Sequence, residues 1–176
     1  ATVSMLNEYF EIMMECLKKE DGFLDKYIGD AIMAAFGIPF GHDDDEDRAV
    51  RCSINMIRSL AVWNVTRLPE GKKPINIGIG LNTDEVVTGN IGSKKHMGFT
   101  IIGDGVNLAA RLESACKQYS ASILISEFTH RKLRGTYRTR DGRWLAVGIV
   151  DEGKFWRALC EALELPRLGK LPVAAR

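Results

Sequence analysis

The sequence predicts an α+β fold in which short β-hairpins form a sheet and helices pack on one side of it. Segments with helical periodicity alternate with paired strand segments rather than with single strands, which favours hairpins over parallel βαβ units. The 176 residues are 45% hydrophobic and 27% charged, so the chain is long enough to bury one sizeable core. We therefore expect one domain, with or without an appendage.

The chain begins with a predicted helix and a predicted hairpin. Apolar residues recur at helical spacing over Val3–Lys19, and Asp21-Gly22 ends that pattern. The next segment, Phe23–Phe36, is interrupted by Gly29-Asp30, a dipeptide typical of two-residue turns. We therefore predict two antiparallel strands with Asp30 at the tip of the hairpin.

An acidic run, Asp43–Asp47, precedes the second predicted helix. A helix N-terminus favours negative charge, whereas adjacent helical positions point outward in different directions and do not converge on one ion. The run therefore indicates helix capping rather than a metal site.

The second half of the chain predicts a further hairpin, a strand and two more helices. Ile75–Gly92 alternates as two strands around the turn Asn82-Thr83-Asp84, and the strand Gly98–Ile102 leads through Gly-Asp-Gly into a helix. The strand Ser122–Ile125 and the helix Glu127–Leu133 follow.

Charge and cysteine content exclude several classes of function. The formal net charge is +1 and no basic block occurs, so nothing indicates binding to nucleic acid or to a membrane surface. No apolar stretch is long enough to span a bilayer, and no signal-peptide pattern is present. The cysteines are too far apart for a zinc or disulfide framework, which predicts a reducing, cytoplasmic location. They are Cys16, Cys52, Cys116 and Cys160.

The most informative polar pattern is an amide and a guanidinium four residues apart on the third predicted helix. Asn107 and Arg111 lie in FTIIGDGVNLAARLES, residues Phe99–Ser114. Positions i and i+4 share a helix face, and this pair of side chains suits a ribose and phosphate oxygens. An arginine at this spacing is also common on a solvated helix face, so the pair alone leaves both readings open.

The sequence around this pair resembles the class III nucleotidyl cyclase catalytic domain. NTDEVVTGNIGSKKHMGFTIIGDGVNLAARLES is similar to the second half of that domain, and LNEYF followed by GFLDKYIGDAIMAAFG is similar to the first half. The resemblance covers residues 1–138 and implies the ferredoxin-like sheet of that family, with helices packed on one side. It also implies conversion of a nucleoside triphosphate to a 3′,5′-cyclic nucleotide and pyrophosphate, with two divalent metals, Mg²⁺ or Mn²⁺.

The resemblance assigns roles to five residues. Asp30 matches a metal-binding carboxylate, and Asn107 and Arg111 match the residues that steady the ribose and the transition state. Lys26 and Thr100 match the two base-reading positions. A lysine at the first of these looks like the adenylate form, because it can donate to N1 of adenine, whereas guanylate cyclases usually carry glutamate. ATP is therefore the expected substrate, with a guanylate cyclase as the alternative.

The family's architecture also implies a symmetric homodimer. Its sites lie between two catalytic domains, one of which supplies the metal carboxylates while the other supplies the base-reading and Asn/Arg residues. Because this one chain carries both sets, two chains would form two sites and a monomer would be inactive.

Two departures from the family pattern keep a catalytically inactive nucleotide-binding or dimerisation domain open as an alternative. The family's opening word F-x-D-I-x-x-F-T, which carries the first metal Asp and the first strand, does not occur here, so one of the two metal carboxylates is expected to be absent. A V-K-G-K word near the end is also missing. In addition, Asp84 stands where the family often has Gly.

The remaining residues, 139–176, predict an atypical tail. GTYRTRDGRWLAVGIVDEGKFWRALCEALELPRLGKLP resembles a fragment of the formyl-CoA transferase and α-methylacyl-CoA racemase family, which makes a CoA-binding fragment a third functional hypothesis. The pattern predicts a hairpin that turns at Asp141-Gly142 and is followed by an amphipathic helix.

Overall fold

The computed structural model describes residues 2–93, 96–134 and 148–149, and it confirms a mixed α+β architecture of helices and small sheets. In chain order the elements are α1 (Thr2–Lys19), β1 (Phe23–Ile28), β2 (Ala31–Ala35), α2 (Asp45–Arg67), β3 (Ile79–Leu81), β4 (Val87–Ser93), β5 (His96–Ile102), α3 (Asp104–Gln118), β6 (Ile123–Ile125), α4 (Glu127–Lys132) and β7 (Gly148–Ile149).

The first hairpin forms as predicted. Strands β1 and β2 pair antiparallel, with Ile28 opposite Ala31 and the turn at Gly29-Asp30 between them. Gly29 has a φ of 64°, a left-handed conformation that glycine adopts without steric cost. The tight turn therefore holds Asp30 at the end of the hairpin, exposed to solvent.

The hairpin predicted within Ile75–Gly92 is wrong, because its two strands, β3 and β4, do not pair with each other. Strand β3 pairs parallel with β6, whereas β4 pairs antiparallel with β5. Gly80 of β3 lies directly on α3, where an added Cβ would come within 2.1 Å of the Ala109 carbonyl oxygen. The Asn82 amide donates to the Gly105 carbonyl at 3.1 Å, which leads the chain toward the start of α3. These two contacts explain why Asn82-Thr83-Asp84 does not turn the chain back into a hairpin.

The interior consists of helix-on-helix and helix-on-sheet contacts. Between α1 and α2, the Met13 and Leu17 side chains are each 1% exposed and pack near Leu60 and Cys52 of α2. Leu112 of α3 packs in a separate buried cluster, with Cys116 and Leu124. The apolar stripe predicted for the first helix is therefore core.

The acidic run lies at the start of α2 as predicted, but Asp44 and Asp45 pair with arginines and Glu46 pairs with Lys132. The Asp44 side chain at the N-cap makes no capping hydrogen bond, and it accepts instead from the Arg51 guanidinium at 3.1 Å. Asp45 pairs with Arg48, which also donates to the Glu20 carbonyl oxygen at 2.9 Å near the end of α1. The run thus links the second helix to the first as well as complementing the helix dipole.

The tail predicted for residues 139–176 lies outside the described residues apart from the β7 dipeptide. Its backbone at Gly148–Ile149 pairs parallel with β6, so these two residues extend the sheet of β3 and β6. The predicted turn at Asp141-Gly142 and the helix after it therefore stay predictions, as does the domain boundary at 138.

Across the described ranges, no helix is both long and apolar enough to cross a membrane. Cys16, Cys52 and Cys116 are buried and unbonded thiols. Burial raises the pKa of the Cys52 thiol to about 12, so this group remains protonated at neutral pH.

Truncation of Met13 to alanine should destabilise the domain, because it leaves a cavity between α1 and α2. We expect a loss of roughly 2–5 kcal/mol in the free energy of unfolding, measured by urea denaturation with circular dichroism. Val3→Ala on the same helix is the control, since Val3 is 72% exposed and its truncation should change stability by less than about 0.5 kcal/mol. Equal effects of the two changes would contradict the described packing of α1.

Candidate active site

The first hairpin meets β5, and this contact brings two predicted site residues together. The Lys26 ammonium on β1 donates to the Thr100 hydroxyl on β5, with 2.5 Å between Nζ and Oγ1. Beside them, the Phe23 and Phe99 rings meet edge to face with centroids 5.6 Å apart. The aromatic contact holds the two strands against each other, so the polar pair has a defined position.

A third polar residue, Asp25, belongs to the same cluster and was missed by the sequence analysis. Its Oδ2 accepts from the Thr100 hydroxyl at 3.1 Å and lies 3.3 Å from the Lys26 ammonium. Neighbouring residues of a regular strand point to opposite faces, but β1 has a bulge between Leu24 and Lys26. The bulge allows Asp25 and Lys26 to reach one hydroxyl. An acidic residue beside a lysine in an otherwise apolar strand was the available signal.

Asp30 lies apart from this cluster, at the exposed end of the hairpin. Within the described part of the chain, its carboxylate has no hydrogen bond or ion pair to Lys26, Thr100, Asn107 or Arg111. Burial raises the pKa of the Tyr9 phenol on α1, and the negative charge of Asp30 raises it further. The structure thus separates Asp30 from Lys26 and Thr100, although Asp30 and Lys26 belong to the same hairpin.

Asn107 and Arg111 both lie on the exposed side of α3, as their spacing predicts. Neither side chain has a hydrogen bond or ion pair to another described residue. Arg111 lines an open surface depression together with Ala110, Ser114, Ala115 and Gln118. An amide and a guanidinium are therefore available to an anionic ligand from the solvent side.

A divalent metal requires hard oxygen ligands, and Asp30 fits that requirement as one ligand. Its carboxylate is exposed and is not neutralised by a described cation. The described residues bring together no group of three metal-ligating side chains, so Asp30 would need further ligands from elsewhere.

The start of α3 depends on a close approach between Asp84 and Gly105. A Cβ at Gly105 would lie 2.5 Å from the Asp84 Cβ and 2.8 Å from its Oδ2. The Asp84 carboxylate also accepts from the Glu85 backbone at 2.8 Å. The Asp84 side chain is thus accommodated by the absence of a side chain at position 105, two residues before Asn107.

Comparison with known proteins finds one family over most of the chain. Residues 1–149 match the family of the adenylate and guanylate cyclase catalytic domain. An adenylate cyclase of Anabaena cylindrica is 39% identical over 132 residues, which are 73% of this chain and 25% of that protein. Adenylate cyclase 1 of Rhizobium meliloti is 32% identical over 70% of this chain and 19% of its own length. The chain therefore spans a quarter or less of these curated relatives.

Solved structures agree with this result. The guanylyl cyclase Cya2 superimposes with a TM-score of 0.70 at 36% identity, covering 78% of this chain and 69% of that chain. The adenylyl cyclase CyaB from P. aeruginosa superimposes with a TM-score of 0.68, also at 36% identity, covering 74% of this chain and 67% of that chain. The resemblance seen in the sequence motifs is thereby confirmed at the level of the family and of the fold.

Gly105→Ala should destabilise the domain, because the new methyl group overlaps Asp84. We expect a loss of about 1–3 kcal/mol in the free energy of unfolding, and partial recovery when Asp84→Gly is added. Gly89→Ala is the control, since a Cβ there has no atom within 4 Å. Additive effects of Gly105→Ala and Asp84→Gly in a double-mutant cycle would contradict the contact.

Proposed function

Because the chain belongs to the adenylate and guanylate cyclase catalytic domain family, we propose that it converts ATP to 3′,5′-cyclic AMP and pyrophosphate at the interface of a homodimer. The ribose 3′ oxygen attacks the α-phosphorus, its hydroxyl proton passes to water, and the bond between the α-phosphorus and the pyrophosphate oxygen breaks, so that pyrophosphate leaves with the bonding electron pair. Such a reaction depends on positioning and on charge neutralisation rather than on a covalent intermediate with the protein.

The contact between Lys26 and Thr100 is the observation that carries the choice of ATP. Adenine presents an acceptor at N1 beside a donor at its 6-amino group, so it needs a donor and an acceptor side by side. An ammonium group 2.5 Å from a hydroxyl oxygen supplies such a pair. Guanine presents the opposite pattern, an N1–H donor beside the O6 acceptor. Its N1–H would therefore face the Lys26 ammonium, which is also a donor and cannot accept a hydrogen bond.

The remaining site residues would act on the ribose and the phosphates. The Asn107 amide would hold the ribose, and the Arg111 guanidinium would stabilise the charge that develops on the α-phosphate. Asp30 would hold a divalent metal, Mg²⁺ or Mn²⁺, which in two-metal sites activates the attacking oxygen and stabilises the leaving one. Since Asp30 lies apart from Lys26 and Thr100 within one chain, a partner chain would present its own Asp30 to the nucleotide.

A guanylate cyclase is the second candidate. It is favoured by the match to Cya2, a guanylyl cyclase as similar in sequence to this chain as the adenylyl cyclase CyaB. The polarity of the Lys26 and Thr100 pair is the observation against it.

The proposed activity predicts that the purified chain forms cyclic AMP from ATP in the presence of Mn²⁺. Formation should rise faster than linearly with protein concentration, because only the dimer is active, and Asp30→Ala should abolish it. Product analysis by chromatography is the measurement, and Asp43→Ala, an exposed carboxylate outside the site, is the control. Absence of cyclic AMP at high protein concentration would reject the proposal.

Replacement of Lys26 by glutamate tests the choice of base. The change removes the charged donor to N1 of adenine and introduces an acceptor for the N1 hydrogen of guanine. We expect the ratio of ATP to GTP turnover to fall at least about tenfold, since a charged hydrogen bond contributes roughly 1.5–3 kcal/mol. Lys18→Glu, on the exposed side of α1, is the control. An unchanged ratio in Lys26→Glu would show that Lys26 does not read the base.

A further inference from the structure

We propose that Asp25 sets the direction of the hydrogen bond at Thr100 and thereby makes this position selective for the 6-amino group of adenine. Asp25 acts through Thr100 and does not itself touch the base, so it is a positioning residue for substrate specificity. The inference rests on the proposed function, since it concerns the base-reading pair of that same site.

The Asp25 side chain is built into the interface between β1 and β5. It is 0% exposed, and its Oδ2 lies 3.1 Å from the Thr100 Oγ1. The same oxygen lies 3.3 Å from the Lys26 ammonium, whose charge offsets part of the cost of burying a carboxylate. The other oxygen, Oδ1, is buried without a hydrogen-bond partner among the described residues. The carboxylate form of an aspartate accepts hydrogen bonds and cannot donate one.

The hydroxyl of Thr100 has one hydrogen and two lone pairs. Its only hydrogen is directed to Asp25 Oδ2, because a carboxylate offers no donor in return. One lone pair accepts from the Lys26 ammonium. Among the contacts of the described residues, one lone pair is then left for a ligand, so Thr100 presents an acceptor.

The hydrogens of the Lys26 ammonium can be counted in the same way. Its ammonium has three hydrogens, of which one is directed to Thr100 and one lies toward Asp25. The third is left for a ligand. The cluster of Asp25, Lys26 and Thr100 therefore presents one donor beside one acceptor, the complement of N1 and the 6-amino group of adenine.

Without Asp25, the Thr100 hydroxyl would be free to rotate and could donate its hydrogen to O6 of guanine. An asparagine at position 25 has nearly the same shape but can donate through its amide, which reverses the hydrogen bond to Thr100. Asp25→Asn is therefore the change that alters polarity while preserving packing.

The test is equilibrium binding of α,β-methylene analogues of ATP and GTP to the full chain, measured by calorimetry with Mg²⁺ present. These analogues cannot release pyrophosphate, so binding is separated from turnover. We expect the wild-type chain to prefer the ATP analogue and Asp25→Asn to reduce that preference about tenfold, equivalent to roughly one hydrogen bond. Asp43→Asn is the matched control, because the Asp43 side chain is 93% exposed and lies on another segment.

The outcomes distinguish the inference from the function on which it rests. A wild-type chain without preference for the ATP analogue would reject the adenylate assignment and the inference with it. A wild-type preference that survives in Asp25→Asn would reject the inference alone. Equal weakening of both analogues by Asp25→Asn would also reject it, since a purely structural role changes affinity without changing the ratio.

A second ligand tests the contact between the 6-amino group and Thr100 separately from the contact at N1. Purine riboside triphosphate keeps N1 but lacks the 6-amino group, so it cannot use the acceptor at Thr100. In competition against the ATP analogue, the wild-type chain should discriminate against this ligand about tenfold, and Asp25→Asn should discriminate little. Equal discrimination by the two proteins would overturn the proposed role of Asp25.

Discussion

A bulge in β1, between Leu24 and Lys26, determines which side chains the first hairpin presents to β5. In a regular strand, Asp25 would point away from Lys26, and Thr100 would face the lysine alone. The bulge brings a carboxylate, an ammonium and a hydroxyl together at one position between two hairpins. The edge-to-face contact of Phe23 with Phe99 then holds the strands at the required separation. Backbone irregularity thus produces a site that strand periodicity alone would not form.

The other proposed site residues are placed by different elements for different physical reasons. Asp30 occupies a tight turn, where the left-handed Gly29 leaves its carboxylate exposed at the end of the hairpin. Asn107 and Arg111 share a helix face whose opposite side packs on β3 and β6. Asp30 lies on the first hairpin, whereas Asn107 and Arg111 lie on α3, so under the proposed function a single chain would offer two half-sites rather than one complete site. The proposed homodimer would complete the site, because each chain would supply the groups that the half-site of its partner lacks.

Much of the fold followed from the sequence because its signals are local. The stripe of α1, the turn at Gly29-Asp30 and the start of α3 are each encoded within a few residues. The partner of β3 was not predictable, since parallel pairing with β6 joins residues more than forty positions apart and leaves no turn signal. The pairing of Lys26 with Thr100, 74 residues apart, came from the family resemblance and not from periodicity. Neither strand periodicity nor the family resemblance identified Asp25, because a bulge has no reliable sequence pattern.

In the proposed dimer, Lys26 and Thr100 of one chain read the base while Asp30 of the partner chain binds the metal. A crystal structure with α,β-methylene ATP and Mg²⁺ tests it most directly. We predict a two-fold dimer with adenine N1 within about 3.2 Å of the Lys26 ammonium and the 6-amino nitrogen equally close to the Thr100 hydroxyl. Adenine bound away from this pair, or base and metal both held by the same chain, would contradict the account.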